Sequence, residues 1–146
     1  MVDYVAKFGD GGVPVSGDGR LDAPSFHRNC TAVTNELRKT LDRRTCHVLE
    51  IGSGTGQHIV EFSRALPDVT WWPSDCIPRH LTSIEGWRRE ADRANIRPAI
   101  LLDTTAPVWP IGDAGTPPAD GLTAIVSLNM LHIAPWSVAL GLLRGA

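Results

Sequence analysis

What this 146-residue sequence lacks excludes several classes before any motif is read. No uninterrupted apolar run is long enough to span a bilayer, so neither a transmembrane helix nor a membrane partner is expected. Neither sign of charge dominates: 14 Lys and Arg stand against 16 Asp and Glu, a net charge of −2. That balance provides no basic surface for nucleic acid and no acidic disordered tail. Cysteine is scarce and odd in number. Cys30, Cys46 and Cys76 form neither a close metal-ligand spacing nor a disulfide framework, so no metal is expected and a reducing, cytoplasmic setting is. The opening "MVDYVAKFGDGG" has neither the basic region nor the apolar core of a secretory signal. What remains is an apolar fraction of 42% in a length that suits one domain with its own core.

The glycine-rich stretch at 9–21, "GDGGVPVSGDGRL", predicts a loop, so residues 1–21 read as a flexible lead-in and 22–146 as the domain. Phe26, Cys30, Val33, Leu37 and Leu41 recur at three- and four-residue spacing and predict a helix over 25–41. The apolar run "CHVLEI" (46–51) predicts a buried strand, followed by a glycine turn and a helix over 57–66. A second strand at 69–72, "VTWW", leads to Pro73-Ser74-Asp75, and Pro78 opens a helix whose inward face is Leu81, Ile84, Trp87 and Ala91. "AILL" (99–102) and "LTAIVSL" (122–128) are the third and fourth strands. The segment 104–121 between them is too rich in proline and glycine for a crossover helix. Pro135 starts the last helix. Nearly continuous apolar strands alternating with helices predict an α/β fold, a mostly parallel sheet with helices on both faces.

The stretch "VLEIGSGTGQH" (48–58) packs Gly52, Gly54 and Gly56 into five residues after a strand. Such a turn lets a ligand approach the backbone and the first amides of the next helix. The spacing departs from the dinucleotide fingerprint G-x-G-x-x-G, because Gln57 stands where its last glycine falls. Asp75 and Asp103 end the second and third strands, and a doubly wound sheet brings both to the edge that carries the glycine turn. An acid in the first position accepts hydrogen bonds from a ribose diol, and one in the second from an exocyclic amine. Each also serves as an ordinary turn or cap residue.

These segments resemble the nucleoside-binding half of a class I S-adenosylmethionine-dependent methyltransferase with a Rossmann-like fold. The closer resemblance is to a little-characterised family of small methyltransferase-like proteins. It is carried by "RLDAPSFHRN" (20–29), "LEIGSGTGQH" (49–58), "WWPSD" (71–75), "LDTTAPVWP" (102–110) and "SLNMLHIAPW" (127–136). The resemblance implies S-adenosyl-L-methionine as cofactor and a small-molecule substrate. It implies that Glu50, Gly52, Ser53, Gly54 and Gly56 surround the methionine part, that Asp75 holds the ribose hydroxyls and that Asp103 faces the adenine amine. Two positions depart from the family pattern. His27 replaces an acidic residue before the Arg-Asn pair, and Gly52 replaces alanine.

Arg28 and Asn29 lie off the apolar stripe of the first helix, where they suit an acceptor-site wall or a surface salt bridge. Asn129 and His132 follow the fourth strand, where an acceptor would approach a sulfonium. There Asn129 orients an amine or hydroxyl and His132 removes its proton, unless His132 is a buried histidine bonded to backbone. Trp71, Trp72, Trp109 and Trp136 add aromatic surface near the strand ends, either as pocket or as core. A zinc site from His27, Cys30 and His58 requires remote contact.

The related fold has seven strands, and four are counted here, so the domain is expected to stop after the fourth strand and its helix. The fourth strand then forms an exposed sheet edge open to self-association. Three functions follow: methyl transfer to a small molecule, a non-catalytic scaffold acting as a binding or interaction module, and a nucleotide-dependent oxidoreductase, which the glycine spacing disfavours.

Overall fold

The computed structural model describes residues 12–41, 47–131 and 133–146. Its elements in chain order are β1 (Val13–Pro14), β2 (Leu21–Asp22), α1 (Pro24–Thr40), β3 (His47–Ile51), α2 (Gln57–Ala65), β4 (Thr70–Asp75), α3 (Pro78–Ala91), β5 (Ile100–Leu101), β6 (Leu122–Ser127) and α4 (Trp136–Gly145). Four strands form a parallel sheet in the order β5-β4-β3-β6, a mixed α/β arrangement with a Rossmann-like topology. Among the described residues no helix is long and apolar enough to cross a membrane.

β3 reads as a nearly continuous apolar run because both of its faces are covered. Val48 joins Ile59, Phe62, Trp71 and Ile96 in one cluster, and Val33 and Leu37 of α1, with Leu41 just past its end, pack against it. Leu49 and Ile51 enter a second cluster with Trp72, Ile100, Leu102 and Trp109. Trp71, Trp72 and Trp109 are therefore core residues, while Trp136 is exposed on α4.

β4 runs through Pro73, which pairs with Glu50, although proline cannot donate to a ladder. The alternation of a parallel strand explains its tolerance. Trp71 and Asp75 bond on the β5 side: Asn95 O accepts from Trp71 N–H at 2.8 Å, and Leu102 N–H donates to Asp75 O at 3.1 Å. Pro73 lies between them in the alternation and so faces the same side. It falls in the gap between the Trp71–Ile96 bridge and the Ser74–Ile100 pairing, where no strand requires its amide.

The described part of the expected 9–21 loop is a short antiparallel hairpin, with Val13 opposite Asp22 and Pro14 opposite Leu21. The ordering force comes from α3. Ser83 Oγ accepts from Leu21 N–H at 2.9 Å and donates to Thr55 O at 2.6 Å, and Trp87 Nε1–H donates to Leu21 O at 2.9 Å. Leu21 is buried beneath these contacts.

α3 ends at Asp92, which takes a left-handed conformation (φ 44°) while its N–H donates to Arg88 O at 3.1 Å. Glycine adopts this conformation without a Cβ clash. Asp92→Gly is expected to stabilise the domain by about 1 kcal/mol, read as a melting temperature higher by roughly 3–5 °C. An unchanged or lower value would show that the aspartate side chain offsets the strain.

Candidate functional site

The glycine turn after β3 is pinned rather than loose. Ser53 N–H donates to Ser74 O at 2.9 Å, and Ser74 N–H donates back to Ser53 Oγ at 3.2 Å. Ser74 Oγ donates to Glu50 O at 2.7 Å, and Gly54 N–H donates to Asp75 Oδ2 at 2.9 Å. The turn is thereby fastened to the end of β4 along its length.

All three glycines have positive φ, but their surroundings differ. A Cβ on Gly52 would touch Met130, at 3.3 Å from its sulfur. One on Gly56 would stand 2.7 Å from the Cα of Ile84 on α3, so this glycine serves helix packing. One on Gly54 would meet nothing within 4 Å among the described residues. Gly54 is the position where the backbone opens to a cavity of about 520 Å³. That volume is in the range of small-ligand sites. The cavity lies where the strand order turns back from the β3-β4-β5 direction to β6, the usual ligand position in an open α/β sheet.

Gln57, which occupies the fingerprint's last glycine position, has a local structural role. Its Nε2 donates to Asp22 Oδ1 at 2.6 Å, and its Oε1 accepts from Ala23 N–H at 2.8 Å and Thr55 Oγ at 3.0 Å. The glutamine ties the start of α1 to the glycine turn, and Ala23 and Ser25 consequently line the cavity.

Of the residues expected at a site, Glu50, Gly52, Ser53, Gly54, Asp75, Asp103 and Asn129 line this one cavity. Gly56 does not, for the packing reason above. Arg28 is exposed on α1 and Asn29 is half-buried; neither lines the cavity. Asn29 reaches the site through another residue: its Oδ1 lies 2.8 Å from Nε2 of His58, which does line it. His27 is exposed, with Nε2 2.7 Å from Asp22 Oδ1. His132 and Cys46 lie outside the described residues. His58, Thr55, Arg79 and His80 line the cavity without having been expected there. Among the described residues no group of three His, Cys, Asp or Glu side chains is placed to hold a metal ion.

Asp75 is buried and heavily used. Its Oδ1 accepts from Ile77 N–H at 2.9 Å, its Oδ2 accepts from Gly54, and His80 Nδ1 lies 3.2 Å from Oδ2. A carboxylate has about four lone-pair positions, so roughly one remains for a ligand hydroxyl. Asp103 Oδ1 accepts from Thr105 N–H at 2.8 Å and from its hydroxyl at 2.7 Å, the turn bonding expected of an aspartate there. Asn129 takes a left-handed conformation (φ 57°), which asparagine tolerates better than most residues and which leaves it exposed at the cavity.

Glu50 is the electrostatic anomaly. It is 2% exposed and its Oε2 has no hydrogen-bond partner among the described residues. Burial, together with the nearby Asp75 carboxylate and against the Ser53 hydroxyl, pushes its carboxyl up to about 7. Burial pushes His58 down, keeping the ring neutral, and raises the Cys76 thiol, with Asp75 and Asp103 adding to that rise. Among the described residues, three carboxyl groups thus border the cavity against one guanidinium, that of Arg79. The arrangement suits a cation or a hydroxyl-rich ligand better than a diphosphate.

Residues 20–146 match the family described as protein of unknown function (DUF938), which is most of the chain, so the chain belongs to that family.

Proposed function

We propose that this DUF938 domain binds S-adenosyl-L-methionine in the cavity beside Gly54 and transfers its methyl group to a small-molecule acceptor, on a class I methyltransferase variant of the Rossmann-like fold. The observation that carries the reading is the unpartnered Glu50 oxygen. A buried carboxylate oxygen without a donor is costly, and a cationic ligand supplies the missing charge. Glu50 and Ser53 would receive the methionine part, with the Gly54 backbone giving close approach. The remaining acceptor capacity of Asp75 suits a ribose hydroxyl, and Asp103 suits an exocyclic amine.

The bound cofactor supplies a methyl group activated by a sulfonium. The chain has to align the acceptor and keep water away. Asn129 offers its amide to orient an amine or hydroxyl, while Leu128, Met130, Ile133 and Val138 make an apolar wall. A nicotinamide dinucleotide suits the site less well, since its diphosphate would meet Glu50, Asp75 and Asp103. A non-catalytic binding scaffold is favoured by one observation, that Asp75 is already satisfied largely by its own chain.

Calorimetric titration with S-adenosylmethionine, S-adenosylhomocysteine and NAD separates these readings. The two sulfur compounds are expected to bind and NAD is not. Asp75→Asn should weaken binding by about 10-fold, the loss of one charge-assisted hydrogen bond. Thermal melting run in parallel checks that the turn, which loses an acceptor for Gly54 N–H, remains folded. Binding of NAD alone would overturn the reading.

A further inference from the structure

Among the cavity's polar side chains left without a role above, His58 is the one fixed by packing on both sides and by a hydrogen-bond partner. His58 is buried in the first turn of α2 and lines the cavity together with Glu50, Gly54 and Asn129. Its ring lies between Phe26, edge-on at 5.2 Å, and Phe62 at 5.7 Å. Asn29 Oδ1, an acceptor, stands 2.8 Å from Nε2. This contact places the proton on Nε2 and leaves Nδ1 with its lone pair, and Nδ1 has no protein partner among the described residues.

From this geometry we propose that His58, oriented and held in one tautomer by Asn29, is the proton acceptor for the group that receives the methyl. The proposal rests on the methyltransferase reading given above. Asn29 is a positioning residue, because it acts through His58 and does not itself line the cavity. His58 Nδ1 takes the proton from the acceptor's N–H, O–H or S–H bond as that atom's lone pair bonds to the methyl carbon. The carbon–sulfur bond of the sulfonium donor breaks with its electron pair remaining on sulfur, and the imidazolium then releases the proton to solvent. A neutral ring is required, and burial supplies it.

The titratable neighbours are His27 on α1, beyond Phe26, Glu61 one turn further along α2, and Glu50, Asp75 and His80 around the cavity. The two aromatic rings and the Asn29 amide bring no charge to His58. Replacing Asn29 by aspartate places a carboxylate against Nε2–H and stabilises the imidazolium.

Nitrogen-15 NMR of the histidine rings tests the geometry. Wild type is expected to show the Nε2–H tautomer at His58, titrating below 6.5. Asn29→Asp should titrate higher than wild type, and Asn29→Ala should show mixed tautomers. Release of S-adenosylhomocysteine is then followed with a panel of small amines, phenols and thiols. His58→Gln is expected to lower turnover by about 100-fold or more while S-adenosylhomocysteine binding stays within about threefold. The acid limb of the rate profile should move upward in Asn29→Asp with the ring. A dominant Nδ1–H tautomer, a limb that does not move, or turnover within about threefold in His58→Gln would overturn the proposal. So would cofactor binding with no turnover of any panel member by wild type. Failure of the sulfur compounds to bind sinks the cofactor reading instead, and it is seen separately, before any acceptor is added.

Discussion

Gly56→Ala is expected to lower the melting temperature by roughly 10 °C or more, whereas Gly54→Ala two residues away should cost only a few degrees and abolish most ligand binding. Both glycines have positive φ, +88° and +59°, which costs an alanine about 1–2 kcal/mol. At Gly56 the new methyl also lies 2.7 Å from the Cα of Ile84 and 3.1 Å from its Cγ1. Ile84 is fully buried on α3, and a backbone atom in a packed helix yields little. Overpacking of this kind adds about 1–3 kcal/mol, for a total of about 2–5 kcal/mol. At Gly54 the methyl meets nothing within 4 Å among the described residues, so the strain is all they bear. The same methyl projects where a ligand would approach the backbone, and affinity for S-adenosylhomocysteine should fall by about 10-fold or more. Thermal melting and calorimetry on the two variants read both effects. Equal destabilisation of the pair would refute the division of labour between them.

That division marks how far the sequence could be read. The spacing of Gly52, Gly54 and Gly56 identifies a strand-to-helix turn of uncommon conformation, because the requirement is local. Which glycine faces a ligand and which faces a helix depends on Ile84, nearly thirty residues away, and no spacing rule encodes it. The same limit separates the strands from the hairpin. β3 was legible because burial on two faces leaves a nearly continuous apolar run, and α1 because its stripe is periodic. The hairpin at Val13–Asp22 is held by Ser83 and Trp87, which lie more than sixty positions along the chain, so its composition reads as loop.

The site was legible where a strand end fixes a residue's position. Asp75 and Asp103 follow from the strand ends of a parallel sheet and Glu50 from the family resemblance, and all three line the cavity. Residues that arrive on helices were harder to place. Asn29 and Arg28 were read as an acceptor-site wall or a surface salt bridge; Asn29 Oδ1 lies against His58 Nε2, and Arg28 is exposed. Gln57 illustrates a different limit. Its identity argued against a dinucleotide, but its work is to clamp Asp22 and Ala23 and so position the start of α1. One departure from a motif can mean a new contact in the fold rather than a changed ligand.

Glu50→Gln should make the domain more stable above pH 7 and bind the proposed cofactor at least 10-fold more weakly. The folded carboxyl titrates at about 7 and the unfolded one near 4.5, so between these values the folded chain holds a proton that the unfolded chain has released. Folding stability therefore falls as pH rises from about 4.5 to 7, and above that window the loss is complete, at about 3 kcal/mol. Below pH 4.5 both states are protonated and the penalty is absent. Glutamine cannot ionise, so the variant should lack this slope and exceed wild type at pH 8 by about 2–3 kcal/mol in denaturant titrations. A cationic ligand reverses the balance in wild type by favouring the carboxylate. Cofactor binding below pH 7 should then release up to one proton, visible as a binding enthalpy that changes with the ionisation heat of the buffer. In Glu50→Gln that release disappears together with the affinity. A wild-type-minus-variant stability difference that is constant from pH 5 to 8 would show that Glu50 titrates normally. The central reason for placing a cation beside it would then be gone.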